Sequence, residues 1–161
     1  MSDVRPVIGF IGVGLMGHGM AKNLITKGYP LVVMGHRKRE PVEHLKSLGA
    51  REASSARELA MACDIVHLCV TGSPQVEALV RGPDGLLAGA DPAKRAGTII
   101  IDCATSNPVS TLALAAEAQA RGVHFVDDQE VPQQRGRAEV GVPDAQGREQ
   151  DLIDRADHDR A

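Results

Sequence analysis

Tryptophan is absent from this 161-residue chain, and Phe, Tyr and Trp together make up only 2% of it. A core must therefore come from Val, Ile, Leu, Ala and Met, and hydrophobic residues at 43% are enough for one. The lack of a basic tract interleaved with aromatics speaks against nucleic acid as a partner. Cysteine is scarce as well. Cys63, Cys69 and Cys103 form no C-x-x-C and no disulfide framework; Cys69 and Cys103, set in apolar runs, read as inert core thiols of a reducing, cytoplasmic compartment. No apolar run is long enough to span a bilayer, and MSDVRPV leads straight into the first apolar segment with no room for a targeting peptide. None of the six histidines is spaced with another, or with Cys, as a metal ligand. His67 reads as a satisfied strand residue, and no metal site, Ser-His-Asp system or carboxylate pair is expected.

What is present is organised around VIGFIGVGLMGHGMA, residues 7 to 21. The run Val7 to Ile11 predicts a buried strand, and Leu15, Met16, Met20, Ala21, Leu24 and Ile25 recur at helical spacing as far as Gly28. Between them Gly12, Gly14 and Gly17 form G-x-G-x-x-G. Gly12 permits the tight reversal, Gly14 leaves the backbone bare for a pyrophosphate, and Gly17 lets the helix lie close on the strand. The N–H groups of the first helical turn then face the phosphates. The motif by itself also fits a purely structural turn; a strand before it and a helix after it favour a dinucleotide site. The cofactor-binding candidates here are Gly12, Val13, Gly14, Leu15, Met16 and Gly17.

Further along, apolar strands at 31–34, 65–70, 98–101 and 124–126 alternate with helices opened by Pro41, Ser55, Pro74 and Pro108. Residues 50–53 read as an edge strand, Ser55 with Glu58 as a capping box, and 81–97 as a loop around Leu86-Leu87. This alternation predicts an α/β fold: a doubly wound, mostly parallel, Rossmann-type sheet covered on both faces, as one domain over residues 1–126. Residues 127–161 differ, with ten acidic residues against five arginines and no lasting periodicity; they predict an acidic tail of low order. The domain before it carries eleven acidic and thirteen basic residues.

The end of the second strand selects the nucleotide. An NAD site usually places an acid there for the ribose hydroxyls, whereas this chain has Gly35 and His36, then Arg37-Lys38-Arg39, with no acid before Glu40. Cationic groups suit a 2′-phosphate, so Arg37, Lys38 and Arg39 in place of the acid point to NADP, with NAD the alternative; His36, Arg37 and Lys38 are the cofactor-binding candidates. A basic solvated loop is the structural reading of the same residues. Val70, Thr71 and Ser73 after the fourth strand, and Thr105, Ser106 and Asn107 after the fifth, supply small polar groups at the carboxyl edge, where doubly wound sheets bind ligands. Ser73-Pro74 and Ser106-Asn107-Pro108 fit helix caps equally well.

GFIGVGLMGHGMAKNL, His36-Arg37, CVTGSPQVEALV and DCATSNPVST followed by GVHFVD resemble the β-hydroxyacid dehydrogenases, the group around 3-hydroxyisobutyrate and 6-phosphogluconate dehydrogenases, over residues 7–127. The resemblance implies a Rossmann-type NAD(P) domain followed by a helical domain, usually assembled as a homo-oligomer. It also implies hydride exchange between the cofactor and a short β-hydroxy acid or semialdehyde. Arg37 falls where NADP-preferring members carry arginine, and Thr105 where the family threonine lines the nicotinamide and substrate cleft. Ala104 replaces the usual serine.

After Asp127 the resemblance stops. The family continues with a DAPVS-like stretch that holds the substrate carboxylate, then with a helix bearing the catalytic lysine; this sequence reads DQEVPQ and matches neither. The expectation is thus a truncated oxidoreductase with no catalytic residue of its own, inactive or weakly active alone. A dinucleotide-binding or partner-docking protein is the alternative, and a methyltransferase using a similar turn is a weaker one. A shifted reading frame past residue 126 accounts for the abrupt change, against a genuine linker; the other two frames of the coding DNA test it.

Overall fold

The apolar run at the start of the chain forms β1 (Ile8–Ile11), buried along its whole length. The structure is a computed structural model and describes residues 5–91 and 98–127. After β1 come α1 (Leu15–Thr26), β2 (Leu31–Met34), α2 (Glu40–Ser47), β3 (Arg51–Ala53), α3 (Ala56–Ala62), β4 (Ile65–Leu68), α4 (Ser73–Val80), α5 (Leu86–Gly89), β5 (Ile99–Asp102), α6 (Pro108–Gln119) and β6 (His124–Asp127). Among the described residues six strands form one sheet in the order β3-β2-β1-β4-β5-β6, and each of their pairings is parallel. The chain winds one way from β1 to β3, then returns to β4 on the other side of β1. That switch point opens a crevice at the carboxyl ends of β1 and β4, the place where sheets of this kind take ligands.

Alternation along each strand divides the core in two. Ile8, Phe10, Leu31 and Val33 pack with Ala21 of α1 and with Val42 and Leu45 of α2. Val32, Val66, Leu68 and Ile100 face the opposite way, towards Leu59, Val76, Leu86 and Leu114. His67 lies on the first face, its ring 5.6 Å from that of Phe10, as a satisfied strand residue would. Among the described residues, the expected cover is complete on one face and partial at one end of the other. Ile99 and Ile101 are only half-buried and Val126 is 48% exposed. The described helices on that side, α1 and α2, pack over β1 and β2 and do not reach the β5–β6 edge.

Local signals hold with small shifts. Gly28 and Gly49 take positive φ just after α1 and α2, as helix-ending glycines do. Ser55 Oγ accepts from Glu58 N at 3.1 Å, but the Glu58 carboxylate accepts from Ser54 N at 2.8 Å, one residue before the Ser55 N–H that a full capping box would engage. The strand expected over 65–70 ends at Leu68, and the one expected over 98–101 runs from Ile99 to Asp102. Leu86-Leu87, expected in a loop, form the short α5, because both side chains bury themselves in the second core. The chain divides into two units, Met1–Val131 and Pro132–Ala161. The expected tail lies, apart from Asp127 at the end of β6, outside the described residues.

Candidate functional site

Three loops meet at the carboxyl edge. At the first, Gly12 leaves β1 with φ +94°, and a Cβ there would overlap the Cys69 carbonyl, so the turn is pressed against the exit of β4. A Cβ on Gly17 would overlap the Gly12 carbonyl and lie 3.0 Å from Phe10 Cε1, which puts the helix directly on the strand. Gly14 is different: nothing lies within 4 Å of where its Cβ would be. The space above the turn is open while the space beneath it is full.

The start of α1 carries no side-chain cap and no acidic residue in its first turn. Among the described helices α2, α4 and α5 likewise lack a side-chain cap, whereas Ser55 caps α3 and Asn107 caps α6. An uncapped first turn keeps its N–H groups, and the positive end of the helix dipole, available for an anion. Leu15 and Met16 stand on that turn at 98% and 75% exposure.

At the second loop, β2 ends in Met34 and the chain continues through Gly35, His36, Arg37 and Lys38, with the last three exposed. Arg39 turns away from its neighbours. Its guanidinium bonds Glu52 of β3 at 2.6 and 2.8 Å and Glu43 of α2 at 2.8 Å. Lys46 joins the same group, 3.3 Å from Glu52. Arg39 pulls the Glu52 carboxyl down to about 2, with Lys46 adding to the effect. The three-cation reading of this loop is thereby corrected to two, since Arg39 is committed to carboxylates.

At the third side, Val70 and Thr71 follow β4. A cleft of about 590 Å³ runs between these loops, lined by Gly12, Val13 and Gly14, by Gly35 to Lys38, by Cys69 to Thr71, and by Gln75, Ala78 and Leu79 of α4. The volume lies within the range usual for small-molecule clefts. Of the expected site residues, Gly12, Val13, Gly14, His36, Arg37, Lys38, Val70 and Thr71 line it; Leu15, Met16, Gly17 and Thr105 do not. Sequence reasoning missed Met34, Gly35, Cys69 and the α4 face. Gln75, Ala78 and Leu79 sit at i, i+3 and i+4, a spacing that would have revealed a wall once the helix was aimed at the cleft. Partial burial raises the Cys69 thiol above its ordinary value, which keeps it protonated and unreactive.

Thr105 is exposed on the loop after β5. Beneath it Asp102 is fully buried, and its carboxylate accepts from Ala104 N at 2.9 Å and Ser106 Oγ at 2.6 Å. Burial raises its carboxyl above the usual range, against the pull of those two donors. The Thr105 carbonyl comes to 3.4 Å from where a Gly72 Cβ would stand, so this loop rests on the one after β4. Among the described residues no cluster of three or more His, Cys, Asp or Glu could hold a metal ion, and no helix is long and apolar enough to cross a membrane.

Comparison with known proteins agrees with this geometry. The chain is 38% identical over 120 residues to the NAD-dependent L-serine dehydrogenase of Pseudomonas aeruginosa, covering 74% of this chain and 39% of that protein. It is 34% identical to the 2-(hydroxymethyl)glutarate dehydrogenase of Eubacterium barkeri, covering 74% and 38%. The solved structure of the 3-hydroxyisobutyrate dehydrogenase of Mycobacterium tuberculosis superposes with a TM-score of 0.66 at 25% identity, covering 77% of this chain and 40% of that one. The chain thus spans about two fifths of the length of these relatives. Residues 7–129 match the NAD binding domain of 6-phosphogluconate dehydrogenase, and the chain belongs to that family.

Proposed function

We propose that this domain binds NADP(H) in the cleft, with NAD(H) as the weaker ligand, and serves as the cofactor half of an oxidoreductase acting on a short β-hydroxy acid or its semialdehyde. The observation that carries the choice of NADP is the second loop, where Arg37 and Lys38 line the cleft and no acid stands with them. In this reading the uncapped start of α1 and the bare Gly14 take the pyrophosphate. His36, Arg37 and Lys38 take the 2′-phosphate, and Val70 and Thr71 flank the nucleotide from β4. The cofactor, when bound, supplies the hydride acceptor. Thr105 borders the nicotinamide end, and Asp102 holds it there by fixing the backbone on one side and Ser106 on the other. A homo-oligomer, as the family resemblance implies, belongs to the same proposal.

Asp102 also favours a second reading, a dinucleotide-binding protein without catalysis. The acid that precedes Thr105 is buried and engaged by two donors, so it positions the loop and does not accept a proton from substrate. Titration of NADP(H) and NAD(H) against the wild type and Arg37→Ala tests the cofactor assignment. The expected result is a loss of about ten- to a hundredfold in NADP affinity with NAD affinity unchanged, the range of one charge-assisted contact. Equal affinities unaffected by the substitution overturn it. A single-turnover assay with L-serine or 3-hydroxyisobutyrate, read by the absorbance of reduced nicotinamide, separates the catalytic reading from the binding one.

A further inference from the structure

The acid that β2 does not carry is present at the same corner, supplied by β3. Gly35 follows β2 and lines the cleft. The place its Cβ would take lies 2.9 Å from Glu52 Oε1 and 2.5 Å from Arg39 Nη1. The volume of the missing side chain is therefore filled through space by a carboxylate and the guanidinium that neutralises it. Parallel pairing puts Glu52 there, because β3 lies beside β2 with Val33 opposite Glu52. The Glu52 side chain is 24% exposed and that of Arg39 50%, so the pair lies at the surface of the corner and within reach of solvent.

We propose that Glu52 is a ribose-reading carboxylate masked by Arg39, and that this ion pair sets the choice between a 2′-phosphate and a free 2′-hydroxyl. The inference rests on the dinucleotide reading of the cleft. An unmasked carboxylate at this corner accepts from ribose hydroxyls and repels a 2′-phosphate. Held by Arg39 through two short bonds, Glu52 does neither: each of its oxygens is engaged and its charge is compensated. Arg37 and Lys38 then act on the phosphate unopposed. Lys46 lies 3.3 Å from Glu52 Oε2, the oxygen that also accepts from Arg39 Nη2, and keeps part of its charge compensated when Arg39 is lost. Arg39 and Glu52 are thus positioning and specificity residues that sit outside the cleft lining itself.

The experiment is a double-mutant cycle on the full chain, with NADP and NAD affinities measured calorimetrically for the wild type, Arg39→Gln, Glu52→Gln and the double variant. Arg39→Gln is expected to raise NAD affinity about tenfold and to lower NADP affinity by a similar factor. Adding Glu52→Gln is expected to abolish the NAD gain, which a merely structural ion pair would not produce. Glu52→Gln alone is expected to leave NAD affinity unchanged and to raise NADP affinity several-fold, since it removes a negative charge from the corner and leaves Arg39 held by Glu43 alone; this arm decides the matter if Arg39→Gln fails to fold. An unchanged NAD-to-NADP ratio in Arg39→Gln, or lower NADP affinity in Glu52→Gln, overturns the masking while leaving the dinucleotide site intact. A wild type that binds neither nucleotide overturns both.

Discussion

The backbone N–H of Asn107 donates to Ser73 Oγ at 2.6 Å, joining the loop after β4 to the loop after β5 across 34 positions of sequence. This bond fixes the starts of α4 and α6 relative to each other. Ser73→Ala leaves the Asn107 N–H without that partner at an exposed position, and the expected cost is about 1 kcal/mol. Thermal unfolding should show a fall of a few degrees. Dinucleotide binding should weaken as well, because Val70 and Thr71 stand on the loop that is loosened.

Gly14 and Gly17 share one motif and should fail in different ways. Gly17→Ala forces a methyl group into the Gly12 carbonyl and against Phe10, so a loss of about 1–3 kcal/mol in stability is expected. Gly14 has φ −72°, acceptable to alanine, and open space around it. Gly14→Ala should fold with wild-type stability and lose at least tenfold in dinucleotide affinity. Equal affinities for the Gly14→Ala variant and the wild type would remove the pyrophosphate from that turn.

Ser55 and α1 make a second contrast. Ser55→Ala removes the cap of α3 and should cost about 1 kcal/mol in a denaturant titration. No such variant exists for α1, whose N-terminus has no capping side chain to remove. Introducing a cap instead, Gly14→Asp, should stabilise α1 while its carboxylate excludes phosphate. A thermal gain together with lost NADP binding is the expected pair of readings.

Acid should weaken the domain through Glu52. Its folded value of about 2 lies below its ordinary 4.5. The stabilisation from Arg39 is therefore complete above about 4.5 and disappears as pH falls through about 2. Asp102 works in the opposite sense: burial raises its carboxyl, so protonation favours the fold and the cost appears as pH rises through the raised value. Unfolding curves for the wild type and Glu52→Gln should converge as pH drops from 4.5 to 2, because the variant has no such contribution to lose. Parallel curves across that window would count against the ion pair as a stabilising contact.

How much of this was legible in the sequence depends on the range of the interaction that decides each feature. The glycine turn, the apolar strands, the Ser55 cap and the helix starts at Pro41 and Pro108 were readable because each depends on residues a few positions apart. Periods of two and of three to four residues show in the sequence itself. The parallel sheet followed from their alternation. Leu86 and Leu87 escaped that reading, because a single turn of helix has no period to show and exists only through the core that receives it.

The site divides along the same line. Sequence alone determined that a bare backbone turn would meet the start of a helix, and that cations would follow β2. It did not determine which cations remain available. Arg39 and Glu52 lie thirteen positions apart, and nothing local links them. Parallel pairing of β3 with β2 brings the carboxylate to the corner and turns a run of three cations into two cations beside a neutralised pair. The burial of Asp102 beneath Thr105 and the α4 wall of the cleft have the same origin. Charge, burial and access are set by neighbours distant in sequence, and only the folded sheet chooses those neighbours.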